Sequence, residues 1–268
     1  MLRQRILSAF VFIPILLAAI WFGDPWFSIL IAIIAFLGAR EFYRLAAQSG
    51  GQPFSLLGTI LILLFILNAF LNAHFKSPQA TSALISAAII LPLIRLLWCP
   101  DKRQAFINWA WTIGGIFYLG WLLSYFILLR GMDEGRSWVI LALFTTFAAD
   151  SAAFLIGRSW GQHHLVPQIS PGKTWEGAAG SLIGGIVGAI ILAFILKLTR
   201  VGYGWIILLG LLVGGFAQLG DLVESALKRS AGVKESGGLI PGHGGILDRL
   251  DSLVFTIVLV YYYLMWLI

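Results

Sequence analysis

Residues 55–73 read SLLGTILILLFILNAFLNA, 19 consecutive positions without one charged side chain. Wound as an α-helix at about 1.5 Å per residue, such a run is roughly as long as the ~30 Å hydrocarbon layer of a bilayer. Eight further, predominantly apolar windows of about this length lie at 6–22, 26–45, 80–98, 109–129, 138–158, 178–198, 203–223 and 250–268. The chain is therefore expected to be an all-α polytopic membrane protein with about nine transmembrane helices.

Composition agrees. Of 268 residues, 59% are hydrophobic and 30 are Gly, and charged residues make up only 11%, against about 25% in soluble domains. A mean hydropathy of +0.92 excludes an ordinary soluble protein. The single Cys99 excludes a disulfide scaffold and a zinc ribbon. A net charge of +6 invites a nucleic-acid reading, but the 18 Lys and Arg residues are scattered singly and in pairs along connectors. Membrane topology and anionic lipid account for that pattern better. The run from Ile6 to Phe22 is followed by Gly23-Asp24-Pro25 and not by a small-residue cleavage site. It reads as a first span, not a signal peptide.

With a cytoplasmic N-terminus, 13 Lys and Arg residues fall on inside segments and 5 on outside ones. The positive-inside rule then places the two long polar connectors, 159–177 and 224–249, in the cytoplasm and the C-terminus outside. Trp21, Trp26, Trp98, Trp109, Trp138, Trp205 and Trp266 sit near span ends, where an amphipathic indole belongs.

The two parts of the chain differ in chemistry. Residues 151–268 hold 20 of the 30 Gly, and seven of the twelve acidic residues lie between Asp150 and Asp251. This divides the chain into an N-terminal scaffold of about five helices, 1–137, and a C-terminal catalytic region, 138–268. The first hundred residues offer no polar site and are read as scaffold and lipid contact. Gly180, Gly184 and Gly188 recur every fourth residue, as do Gly177, Ser181, Gly185 and Ala189. The seventh span thus has two close-packing faces, which serve bundle packing alone or leave one face for a homodimer contact.

Charges inside a span are costly, roughly 2.5–3.5 kcal/mol each on insertion scales, so Asp150 and Asp221 need partners. From Gln218 the chain reads QLGDLVESALKRSAGVKESGGLIPGHGGILDRLD. Asp221 and Glu224 lie three apart on one helical face, as do Asp248 and Asp251. Carboxylates that hold Mg²⁺, Lys and Arg that meet phosphate, and Gly that admits backbone N–H groups suit a nucleotide–metal complex. The other connector reads GRSWGQHHLVPQISPGKTWEG. Its Gly172-Lys173-Thr174 is no P-loop, because Pro167 stands where that pattern requires Gly. Ser170, Lys173 and Thr174 are candidates to contact phosphate as the next helix begins, with Glu176 in its first turn. His163 and His164 are adjacent and read as surface residues. The chain contains no G-x-S-x-G, H-E-x-x-H or G-x-G-x-x-G, which removes the usual serine hydrolase, zincin and dinucleotide readings.

The run Ser225-x-x-Lys228-Arg229-x-x-x-x-Lys234-Glu235, followed by Ile240-Pro241-x-His243-Gly244-Gly245-Ile246-x-Asp248-Arg249-Leu250-Asp251, resembles the signature of the phosphatidate cytidylyltransferases, or CDP-diacylglycerol synthases. It departs at Glu235, where that family usually has Asp. The likeness extends to Asp150-Ser151-Ala152-Ala153-Phe154 with Gly157-Arg158, and to Ser170-Pro171-x-Lys173-Thr174-x-Glu176-Gly177. The resemblance implies an enzyme that transfers a cytidylyl group from CTP to phosphatidate. It implies Mg²⁺ and allows a second, monovalent cation such as K⁺. Carried over residue by residue, Asp221 and Asp248 are the central metal ligands, with Asp251 and Asp150 close by. Lys173, Lys228, Arg229, Lys234 and Arg249 contact phosphate, and His243 orients a phosphate or a ligand. Ser170, Thr174, Glu176, Gly244 and Gly245 complete the substrate site. The expected partners are CTP, phosphatidate and the bilayer, with no nucleic acid. The competing readings are another CTP-dependent lipid enzyme, such as a polyprenol-type kinase, and a cation-coupled transporter.

Overall fold

The computed structural model describes residues 2–75, 79–198, 201–239 and 244–267. Its helices are α1 (Leu2–Phe22), α2 (Trp26–Gln48), α3 (Ser55–Phe75), α4 (Gln79–Arg95), α5 (Lys102–Gly115), α6 (Leu122–Arg130), α7 (Gly135–Trp160), α8 (Trp175–Ile195), α9 (Tyr203–Ser230) and α10 (Leu247–Leu267). A π turn over Ile116–Trp121 joins α5 to α6. Among the described residues, eight helical stretches are long and apolar enough to cross a membrane, and α1 adds the shorter apolar run Phe10–Phe22. The protein is an all-α polytopic integral membrane protein. Its outward surface is apolar: Phe10, Leu56 and Phe194 are each 76% exposed, a pattern that suits lipid tails and not water.

The apolar windows mark the hydrocarbon-length part of each helix, and the helices run past them. α8 begins at Trp175, α9 continues to Ser230, and α10 begins at Leu247. Glu224, Lys228, Arg229 and Asp248 therefore stand on helices and not in connectors. Polar side chains end a hydrophobic window without ending a helix, because backbone hydrogen bonding continues into the headgroup layer. The connector before α8 also carries a small antiparallel hairpin, β1 (His164–Val166) with β2 (Ser170–Thr174), in which His164 faces Thr174 and Val166 faces Ser170.

The chain forms two compact units. One comprises Met1–Met132 with Ser230–Asp248, and the other Asp133–Arg229 with Arg249–Ile268. In the first, the buried Tyr43 ring of α2 fits against Gly58 and Gly115, and its hydroxyl donates to the Thr112 carbonyl at 3.2 Å. Thr112 Oγ1 accepts from Phe54 N at 2.9 Å and Asn108 Oδ1 from Gln52 N at 2.6 Å, which satisfies the backbone of the α2–α3 turn.

In the second unit both small-residue faces of α8 are occupied. Gly180, Gly184 and Gly188 lie against Ala152, Ile156 and Ala148 of α7. On the other face, Gly185 meets Gly210 of α9, and Ser181 Oγ donates to the Gly214 carbonyl at 2.9 Å. Both stripes thus serve helix packing within one chain. α10 is tied to α7 by Thr146 Oγ1 and Thr256 Oγ1 at 2.9 Å, and to α9 by Tyr263 Oη donating to the Trp205 carbonyl at 2.7 Å.

A Cβ at Gly210 would stand 2.5 Å from the Gly185 carbonyl oxygen. Gly210→Val is expected to force α8 and α9 apart at about 1–3 kcal/mol, seen as a lower thermal midpoint in detergent. Gly204→Ala, which meets nothing within 4 Å, is the matched control and is expected to leave that midpoint unchanged.

Candidate active site

The second unit gathers four of the residues singled out above. Lys173, at the end of the hairpin, places its ammonium 2.9 Å from Asp221 Oδ2 and donates to the Gln218 carbonyl at 3.3 Å. The Lys173 side chain is only 14% exposed against 36% for Asp221, so the lysine is held in place and does not sweep through solvent. Ser225, one turn on, donates to Asp221 Oδ1 at 3.3 Å. A Cβ on Gly220 would stand 3.0 Å from the Ser252 Cα, and this close approach of α9 to α10 sets Asp221 beside Asp251. Ser252 serves two carboxyls, its N–H donating to Asp251 Oδ1 at 2.8 Å and its hydroxyl standing 3.5 Å from Asp150 Oδ1.

Asp150, Asp221 and Asp251 are near enough for each to feel the charge of the others. Lys173 and Arg249 offset that charge at Asp150, and Lys228 at Asp251. The donor set is entirely carboxyl oxygen, which suits a hard cation such as Mg²⁺ and not a thiophilic metal. Among the described residues no three His, Cys, Asp or Glu side chains form a finished cage. Mg²⁺ does not require one, since it keeps several waters and takes one or two carboxylates together with substrate phosphate. The group therefore fits such an ion.

Around this centre the remaining candidates have distinct tasks. Thr174 is buried, and its hydroxyl accepts from Gly177 N at 3.1 Å as the N-cap of α8, so its side chain orients the helix start. Glu176 accepts from His163 Nδ1 at 2.6 Å and from the backbone of Gln162 and His163, pinning the hairpin base to α8. Lys228 pairs with the buried Glu224 one turn earlier. Arg229 donates to the Ile169 carbonyl at 3.2 Å, clasping the turn before Ser170. Arg249 is exposed at the start of the second unit's share of α10.

The first unit holds the others. Lys234 is exposed, whereas Gly245 is buried. Asp248 Oδ2 accepts from the backbone N–H of Ser236 at 3.1 Å, from Ser236 Oγ at 2.9 Å and from Gly245 N at 2.8 Å. Gly244 has φ +79° and would set a Cβ 2.7 Å from that same oxygen, so only glycine closes this turn. His243 lies outside the described residues.

One residue here escapes a reading of the first hundred residues as scaffold. Glu41 of α2 is 4% exposed, and its Oε2 accepts from Leu247 N at 3.0 Å and stands 3.2 Å from Ser236 Oγ, whose one proton it shares with Asp248. The available signal was the acidic residue inside Ala39-Arg40-Glu41-Phe42-Tyr43-Arg44.

The model of the cytidylyltransferase family matches residues 3–267 of the chain. The chain is 36% identical to a phosphatidate cytidylyltransferase of Synechocystis sp., over 99% of its own length and 97% of that relative's. It is 34% identical to the enzyme of that name from Bacillus subtilis, with 98% and 97% covered, and 34% identical to that from Haemophilus influenzae, with 96% of each covered.

Thr174→Ala removes the cap of α8 and is expected to cost about 1 kcal/mol of stability, measured as a lowered unfolding midpoint. Thr174→Ser, which keeps an acceptor oxygen, is expected to recover most of it.

Proposed function

The chain belongs to the cytidylyltransferase family, and we propose that it transfers the cytidylyl group of CTP to phosphatidate, giving CDP-diacylglycerol and pyrophosphate in phospholipid biosynthesis. The observation that carries this reading is the nearly full-length likeness to several enzymes of that one name. The carboxyl group around Lys173 and Asp221 supports it, because oxygen donors interleaved with cations suit a metal-bound triphosphate.

In this reading a phosphate oxygen of phosphatidate attacks the α-phosphorus of CTP in line. A new P–O bond forms as the bond to the β-phosphate oxygen breaks, and pyrophosphate leaves with that electron pair. No side-chain nucleophile is needed, so the protein's task is positioning and charge stabilisation. Mg²⁺, which Asp221 would hold with Asp251 and Asp150 close by, supplies positive charge against the negative charge of the phosphates. Asp248 carries over from the signature as a further ligand candidate. Lys173, Lys228, Arg229, Lys234 and Arg249 bind phosphate oxygens, and Ser170, Thr174, Glu176, Gly244, Gly245 and His243 complete the substrate site. Lys173 is fixed by its buried stem and its Asp221 partner, so it would meet substrate charge with little loss of side-chain freedom.

Location follows the same chemistry. We place the protein in the cytoplasmic (inner) membrane with its active site facing the cytoplasm, where CTP is dissolved and the lipid headgroup lies at the inner leaflet. The 13 to 5 split of basic residues supports this orientation.

Protein purified in detergent is expected to release pyrophosphate only when CTP, Mg²⁺ and phosphatidate are all present, with CDP-diacylglycerol in the lipid phase. Asp221→Asn and Asp248→Asn are each expected to lower that rate about 100-fold or more, the scale of losing one preorganised electrostatic contact. Formation of CDP with a newly phosphorylated lipid would mark a kinase, and no nucleotide turnover would return weight to a transporter. Orientation has its own reporter in Cys99, which lies in the α4–α5 connector. An impermeant maleimide is expected to label it in inverted membrane vesicles and not in intact cells.

A further inference from the structure

Glu41 is a buried acidic residue in a helix long and apolar enough to cross a membrane, a position proteins fill at a cost and for a reason. Its carboxyl group faces the connector that leads into α10. Oε2 accepts from Leu247 N, the first residue of α10, at 3.0 Å, and from Ser236 Oγ at 3.2 Å. That hydroxyl also stands 2.9 Å from Asp248 Oδ2, which takes the N–H groups of Ser236 and Gly245 as well. One turn along α2, Arg44 Nη2 donates to the Ser236 carbonyl at 3.2 Å. Gly237 and Gly245 press on the Glu41 carboxyl so closely that a Cβ on Gly237 would stand 2.5 Å from Oε1, and one on Gly245 would overlap Oε2. A cleft of about 370 Å³ opens beside this point, lined by Arg40, Glu41, Arg44 and Gly237 among others.

We propose that Glu41 is a positioning residue. It latches Ser236 and the start of α10 to α2 and thereby holds Asp248 and the Gly244–Gly245 turn in one conformation. Two features distinguish a latch from a buried residue that merely fills space. Its partners are one side-chain hydroxyl and one orphan N–H of a helix start, both in the segment that carries Asp248. The two glycines that touch it stand where any Cβ of their own would collide with its carboxyl group. Glu41 acts on the reaction through Asp248, and this consequence for turnover rests on the cytidylyltransferase reading above, whereas the order of the connector does not.

The test compares full-length wild type with Glu41→Ala, Glu41→Gln and Ser236→Ala, using hydrogen exchange by mass spectrometry and the Mg²⁺ concentration for half-maximal pyrophosphate release. Glu41→Ala is expected to speed exchange at 236–239 and 244–248 while α8 and α9 exchange as in wild type. It should raise the Mg²⁺ requirement about tenfold or more, the scale of losing a group that orients a metal ligand. Glu41→Gln keeps a carbonyl oxygen for Leu247 N and Ser236 Oγ and should restore both readouts to near wild type. Unchanged exchange at 236–239 and 244–248 in Glu41→Ala overturns the proposal, and so does failure of Gln to restore it. If Glu41→Ala loosens the whole chain, Ser236→Ala decides: faster exchange confined to the connector upholds the latch, and none overturns it. A wild type that releases no pyrophosphate defeats the functional reading and leaves exchange to judge the latch.

Discussion

A carboxyl group buried in a membrane-crossing helix bundle has little water to turn to, and its partners decide what the surrounding chain must do. In the second unit Asp221 draws Lys173 off the hairpin, and Asp150 and Asp251 both turn to Ser252. Glu224 takes Lys228 from the next turn of its own helix. In the first unit Glu41 and Asp248 share Ser236, with the N–H groups of Leu247 and Gly245 completing the set. Each pairing fixes a segment that apolar packing alone would leave loose: the hairpin, the start of α10, and the glycine-rich connector.

Those pairings are possible because helices approach one another closely. Glycine on both faces of α8 lets α7 and α9 come to backbone distance, and in lipid, where no hydrophobic force drives helices together, such close packing is a main source of association. Gly220 does the same for α9 and α10 and brings Asp221 beside Asp251. The small residues of the second unit and its acidic residues are therefore two parts of one device. One sets the helix spacing, and the other uses it to hold carboxyl oxygens near a lysine.

Much of this was legible in the sequence. Nine apolar windows anticipated the helices, and the clustering of Gly, Asp and Lys after Asp150 pointed to the chemistry. The family resemblance, resting on the run from Ser225 to Asp251, agrees with the family match over residues 3–267. Less legible were the ends of elements. Hydropathy marks where a side chain meets lipid and is silent on where backbone hydrogen bonding stops, so α8, α9 and α10 extend beyond their windows. The hairpin His164–Thr174 was hidden for a related reason: its strands are three and five residues long, too short for an alternating pattern to register. Also hidden from local pattern were the structural contacts of two site candidates, Thr174 capping α8 and Glu176 holding the hairpin base.

The sequence by itself determined that this chain spans a membrane and which residue types its reaction centre would use, because transfer into lipid and affinity for phosphate depend on composition and local spacing. Tertiary structure decided which carboxyl meets which partner. Glu41 and Ser236 are 195 residues apart, and Lys173 and Asp221 are 48 apart, and no local rule links such positions. Only the packing of helices converts those separations into hydrogen-bond distance, and with it a buried glutamate of the apparent scaffold becomes the support of the connector that carries Asp248.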